Sequence, residues 1–273
     1  MAREHVVKIL SDLTAFVEEN CTDECVLFRG QPHDHPLLPR IARLSLQDDL
    51  AKVERTMLAE FKRQSTPYLG HIPDNNWDWL ALAQHHGMAT RLLDWTKNPL
   101  AALWFVVQRP PSSDSHGVLW VFTPDTQDVV TADEARASPD GPFEGTRTKV
   151  FQPNCVTERI VAQAGWFTVH KYLREKSQFM PLEEYEIHKE HLVKLTVPAK
   201  VFAELRYQLD RFGVNNASLF PDLDGICRHV EWVNSVLADE KATTEMPSSR
   251  NAPARRKDGR RHRLEQSKQG QGS

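Results

Sequence analysis

From Gln84 to Val107 the chain sets a crowded polar block directly against an apolar one. Gln84, His85, His86, Thr90, Arg91, Asp94 and Thr96 stand close together, and Leu100 to Val107 follows as an unbroken apolar run. A fold that buries Leu100–Val107 must carry the polar block to the rim of its core, where every polar group needs a partner. The block therefore has two readings. It pins a loop by hydrogen bonds, or it floors a pocket.

The local signals around it are regular. Asp74-Asn75-Asn76 predicts the start of a helix from Trp77 to His86, which Gly87 ends as a C-cap glycine. Asn98-Pro99 predicts the next helix start, with proline in the first turn. A short strand is predicted over Thr90–Asp94. Gly117–Phe122 is the strongest strand signal, a continuous apolar run suited to a buried sheet. Cys25–Phe28 predicts a strand that Arg29-Gly30 ends, and Trp166–His170 and Leu192–Val197 predict two more. Helical spacing covers residues 5–19, 43–64, 157–164, 200–212 and 222–237. Strands and helices do not alternate evenly, which predicts an α+β fold: a mixed sheet of short strands flanked by helices.

The chain has 273 residues and a net charge of −3. Residues 250–268 carry a net +6, leaving an acidic −9 on the rest. No apolar periodicity continues past about residue 240. One domain over residues 1–240, including an N-terminal helix 5–19, and a disordered basic tail over 241–273 are predicted. The tail is suited to nucleic-acid phosphates, although it lacks stacking aromatics. No apolar run is long enough to span a bilayer, and the N-terminus lacks a secretory h-region, so no membrane contact and a cytoplasmic location are expected. Cys21 and Cys25 have no second close pair, so no metal site is expected. Neither a GxGxxG nor a GxxxxGK[ST] motif occurs.

Arg29 is the first candidate for chemistry. Its forked guanidinium suits bidentate phosphate binding, or it ties its strand end to an acid such as Asp94. Gly30 beside it permits close approach of a backbone or a ligand. Asp94, flanked by Leu93 and Trp95, is expected to be partly buried and paired with Arg29 or Arg91. Gln163 stands among apolar residues before Gly165, where an amide could read a ligand. Asp222 reads as an N-cap for the last helix and Asp224 as first-turn charge.

Four motifs agree in order: Phe28-Arg29-Gly30-Gln31, the block Gln84–Thr96, the run Arg159–Phe167 and the run Leu219–Gly225. Together they resemble the FRG domain family, over about residues 20–235. A more distant likeness is to ADP-ribosyltransferases of the Arg-Ser-Glu class. Phe28-Arg29-Gly30 is similar to their aromatic-Arg-Gly. Leu92–Thr96, followed by Ala101–Phe105, is similar to their Ser-Thr-Ser strand and the helix after it. The likeness implies an ADP-ribosyltransferase-like fold and an NAD-dependent transferase acting on a macromolecule, nucleic acid or protein, in bacterial stress or phage defence, as a toxin or otherwise. It gives Arg29 the NAD phosphates or ribose and Thr96 the support of the nicotinamide ribose. Gln31, His85, Thr90, Arg91 and Asp94 complete the expected NAD-binding set. The late catalytic Glu of that class has no clear counterpart. Gln163 stands near its place, and Glu158, Asp222 and Asp224 are the substitutes at hand. A non-catalytic nucleotide-sensing or interaction module is the alternative.

Overall fold

In a computed structural model the run Gly117–Phe122 forms strand β4, buried along its whole length in the middle of an eight-stranded sheet. The structure describes residues 5–112, 115–138, 140–154 and 161–241. The other strands of this sheet are β1 (His5–Val6), β2 (Leu27–Gln31), β3 (Leu92–Thr96), β5 (Val129–Val130), β6 (Lys149–Phe151), β7 (Gly165–Val169) and β10 (Leu192–Val197). Their order is β1-β10-β4-β2-β3-β7-β6-β5. The β1–β10 and β5–β6 pairs are parallel and the rest antiparallel. Two further strands, β8 (Tyr172–Leu173) and β9 (Gln178–Phe179), form a separate ribbon.

Helices cover the sheet. Helix α4 (Pro99–Val107) is capped by the Asn98 side chain, which accepts from Leu100 N and Ala101 N. It is buried along most of its surface and packs with Phe28, Leu119, Val121 and Leu195 of the sheet. Helix α1 (Leu10–Asn20) and helix α7 (Phe202–Arg211) join the same cluster through Leu13, Phe16, Leu205 and Leu209. Helix α2 (Leu50–Ser65) and helix α3 (Asn76–His85) build a second cluster with Leu92, Phe151, Phe167 and Val169. Helices α5 (Ala132–Ala137), α6 (Gly141–Glu144), α8 (Asn216–Leu219) and α9 (Leu223–Val233) complete the described set. The fold is α+β, a mixed sheet flanked by helices.

Several elements differ from the sequence expectation. His5 and Val6 are strand, because their backbone pairs with β10 at Leu195 and Thr196. Helix α1 starts only where the Asp12 carboxylate accepts from Lys8 N and Ile9 N at 2.8 and 3.1 Å. The predicted 43–64 helix begins at Leu50, where the Asp49 side chain caps Ala51 N and Lys52 N. Before it, Arg40–Arg43 is a separate 3-10 turn. Strand β2 runs through Arg29-Gly30 to Gln31. The glycine does not end the strand; it lets α4 sit on it. A Cβ at Gly30 would lie 1.8 Å from the Ala102 carbonyl oxygen and 3.0 Å from Val106 Cγ2. Most of the predicted 157–164 helix, Glu158 and the tail past residue 241 lie outside the described residues.

Candidate functional site

Strands β2 and β3 pair at one register position, Phe28 opposite Thr96. Continuing that antiparallel register would set Gly30 against Asp94, but the strands have parted there. The Arg29 side chain enters the gap instead. Its Nη1 donates to the Asp94 main-chain oxygen at 2.7 Å, taking the place of a ladder bond, and lies 3.8 Å from Asp94 Oδ2. The gap opens into a cleft of about 360 Å3.

Polar groups converge on this cleft from three directions. From β3 comes Asp94. Its carboxylate is 64% exposed, so it is not the half-buried acid its apolar neighbours suggested. Strand alternation explains this: Leu93 and Trp95 turn to the opposite side of the sheet and pack there. From the end of α3 comes Gln84, whose Nε2 donates to Asp94 Oδ1 at 2.9 Å. The hydroxyl of buried Thr90 donates to Gln84 Oε1 and accepts from Leu92 N at 3.1 Å, so Thr90 orients the amide. From the 3-10 turn come Arg40 and Arg43, both exposed and both lining the cleft. Residues three apart eclipse on such a turn, and the Ile41 between them is fully buried, which anchors it. Arg40 also donates Nη1 to the Gly87 carbonyl at 2.9 Å. Gly87 itself is left-handed, with φ of 90°, as a glycine past a helix end should be.

Among the described residues three arginines thus line a cleft to which Asp94 contributes the one lining carboxylate. Arg29 Nε is buried without a hydrogen-bond partner among the described residues. Burial pushes the Arg29 guanidinium below its ordinary pKa; Asp94 opposes this and Arg43 adds to it. Three guanidinium groups at one cleft lower the cost of bringing in an anion, because their accessible N–H groups suit its oxygens.

The other sequence candidates are distributed more widely. Thr96 and Gln163 line the cleft, but the Thr96 hydroxyl and the Gln163 Nε2 are engaged elsewhere. The Thr96 hydroxyl donates to the Gln163 carbonyl and accepts from Asn98 N at 2.9 Å. Gln163 Nε2 donates to the Leu219 carbonyl at 3.0 Å. Together they hold a turn in which Ala164 is left-handed, with φ of 45°, a conformation that costs a non-glycine residue about 1–2 kcal/mol. His85 borders a smaller neighbouring recess of about 70 Å3, shared with Gln84, Asp94 and Trp166. Gln31 is buried away from the cleft, accepting from Trp120 Nε1 at 3.2 Å.

Arg91 does not meet Asp94. It is 2% exposed and its guanidinium is gripped by Glu54 of α2, itself 1% exposed. Asp222 N-caps α9 through Gly225 N at 2.7 Å, as expected. Among the described residues no cluster of three or more His, Cys, Asp or Glu is placed to hold a metal ion, and no helix is long and apolar enough to cross a membrane.

Arg40 and Arg43 escaped the sequence reading. Their signal was present as two arginines three apart around an isoleucine, with Arg43 the first residue of the predicted 43–64 helix and Arg40 assigned to no element. In comparisons with known proteins, no curated protein and no solved structure matches the chain. Residues 24–115, which supply Arg29, Arg40, Arg43, Gln84, Asp94 and Thr96, match the family model of the FRG domain.

Proposed function

We propose that the Arg29–Asp94 cleft binds a phosphate-bearing nucleotide, and that NAD is that nucleotide. The observation that carries this reading is the imbalance of charge: among the described residues Arg29, Arg40 and Arg43 face a cleft with Asp94 as its lining carboxylate. Arginine forks suit phosphate oxygens in bidentate geometry. Arg40 and Arg43 take the phosphates, Arg29 bridges to the ribose, and Asp94, held by Gln84, accepts from a ribose hydroxyl. Thr96 and Gln163 act as positioning residues for the cleft wall, since the Thr96 hydroxyl and the Gln163 Nε2 are already engaged. The protein on this reading is a nucleotide-sensing module.

The exposure of Asp94 favours a second reading, ADP-ribosyl transfer to a macromolecular acceptor. There the glycosidic C–N bond of NAD breaks and nicotinamide leaves with the electron pair. The acceptor's lone pair forms the new bond to the ribose carbon, and its proton passes to Asp94. Asp94 would also stabilise the positive charge that develops on the ribose.

Calorimetric titration with NAD and with ADP-ribose, together with an assay for released nicotinamide in the presence of DNA, RNA or protein, tests both. Binding without release supports the sensing module. Release that disappears in Asp94→Asn while binding remains supports the transferase. Absence of binding by either nucleotide overturns both.

A further inference from the structure

Both main-chain polar groups of Leu37 are taken by one short 3-10 turn, Leu182–Glu184. Leu182 N donates to the Leu37 carbonyl at 3.1 Å, and the Glu183 carboxylate accepts from Leu37 N with each oxygen at 3.1 Å. The Leu37 and Leu182 side chains are both buried and belong to one apolar cluster. The chain at Leu37 is therefore fixed in position and direction by residues far along the sequence. Glu183 stands there against the pull of its surroundings. Burial pushes its carboxyl above the ordinary carboxylate range, the bond from Leu37 N works against this, and the acidic neighbours Glu184 and Asp34 add to it. A half-buried acid beside two other acids is unfavourable unless a hydrogen bond offsets the burial, and Leu37 N supplies that bond.

Leu37 stands three residues before Arg40, and the step between them is stiff. Leu38 N donates to the Pro36 carbonyl at 2.8 Å. Pro39, extended with φ of −64° and ψ of 155°, opens the 3-10 turn Arg40–Arg43. Proline fixes its own φ and restricts the residue before it, so Leu38-Pro39 has little freedom to absorb a shift. A displacement of Leu37 is passed on to Arg40 and Arg43. The main-chain bond that ties the turn to β3 is longer: Ile41 N donates to the Thr90 carbonyl at 3.4 Å.

We infer that Glu183 is a positioning residue of the Arg29 cleft: by clasping Leu37 it sets Arg40 and Arg43 at the cleft's rim. Glu183 itself is not among the described residues that line the cleft. This role rests on the reading of the cleft as a nucleotide site, and it ties that site to a turn outside residues 24–115.

The test joins amide hydrogen exchange with titration of ADP-ribose into the full chain. In Glu183→Ala the Ile41 and Ala42 amides, which are bonded to the Thr90 and Pro39 carbonyls, should exchange about tenfold faster than in the wild type. Affinity for ADP-ribose should fall about threefold to thirtyfold in the same variant. Glu183→Gln keeps an acceptor oxygen for Leu37 N and should stay within about twofold of the wild type. A double-mutant cycle separates positioning from general loosening: the losses from Glu183→Ala and Arg43→Gln should combine to less than their product, whereas those from Glu183→Ala and Arg29→Gln should multiply. Unchanged exchange, unchanged affinity in Glu183→Ala, or a full product with Arg43→Gln overturns the inference while leaving the cleft as the binding site. A wild type that binds no ADP-ribose overturns the reading of the cleft, and the role of Glu183 falls with it.

Discussion

Arg29 and Arg91 lie to either side of strand β3 and each meets a carboxylate, but the two pairs are built in opposite ways. Arg91 and Glu54 are sealed in the interior. Arg91 donates Nε and Nη2 to Glu54 and Nη1 to the Pro142 carbonyl at 2.7 Å, and the Phe143 ring lies 4.8 Å from its guanidinium carbon. Nothing about that pair invites a ligand. Arg29 makes one short bond, to a main-chain oxygen, and its carboxylate partner stands mostly in water. Its Nε has no acceptor among the described residues. A saturated buried pair fixes how α2 sits on β3. An unsaturated cation at an open cleft keeps binding capacity for something else.

Breaking each pair should separate these roles, and the largest effect belongs to the sealed one. Glu54→Ala leaves Arg91 charged and buried without its acceptor, so it should cost about 3–5 kcal/mol of stability, read from the denaturant midpoint. Asp94→Asn in the open pair should cost less than about 1 kcal/mol, because an exposed ion pair contributes little. Equal losses would mean that the two pairs are of one kind.

Next in size is Gly30→Ala. The added methyl meets the Ala102 carbonyl, so α4 must lift from β2, at a cost of about 1–3 kcal/mol. This change sharpens the comparison, because the floor beside Arg29 is then shown to be rigid packing and not free space. An unchanged melting temperature would contradict the close approach of α4.

The smallest effect is a pH effect, and it falls on the sealed side. His170, whose backbone N donates to the Arg91 carbonyl at 3.2 Å, is pushed down to about 3 by burial, and burial also lowers His188. Both folded values lie below the unfolded value of about 6.5, so the stabilisation is complete above that pH and declines as the pH falls. Between pH 7.5 and 6 His170 should contribute a loss of about 0.8 kcal/mol, and His188 adds a loss of the same sign. Loss of that dependence in His170→Gln, His188→Gln would confirm the source; an unchanged pH profile would refute it.

The sequence was informative where local chemistry decides structure. Gly117–Phe122 and Leu192–Val197 are strands over their predicted spans, and Asn75 and Asn98 cap the helices they were expected to cap. It was less informative where a distant partner decides. Glu54 is four residues from both Leu50 and Leu58, so it sits on the apolar face of α2. That placement was readable, yet its pairing with Arg91 was not, because Arg91 lies on another element. Gly30 reads as a strand end open to a close backbone or ligand; the close approach is there, from the α4 backbone, but the strand continues through it. Of the site, Arg29, Gln84 and Asp94 were legible as one polar block and one motif. Their convergence with Arg40 and Arg43 required the 3-10 turn, which places two arginines on one edge by anchoring Ile41.

The measurement that tests the central claim most directly is calorimetric titration of ADP-ribose into the wild type, Arg29→Gln and Asp94→Asn, each checked for an unchanged fold by its melting curve. The account predicts binding by the wild type, an affinity at least about tenfold weaker in Arg29→Gln, since a charge-assisted hydrogen bond from Arg29 to the ribose is worth roughly 1.5–3 kcal/mol, and little change in melting temperature. Equal affinity in the wild type and Arg29→Gln, or a collapse of the fold when Arg29 alone is changed, would contradict it and make Arg29 a structural residue like Arg91.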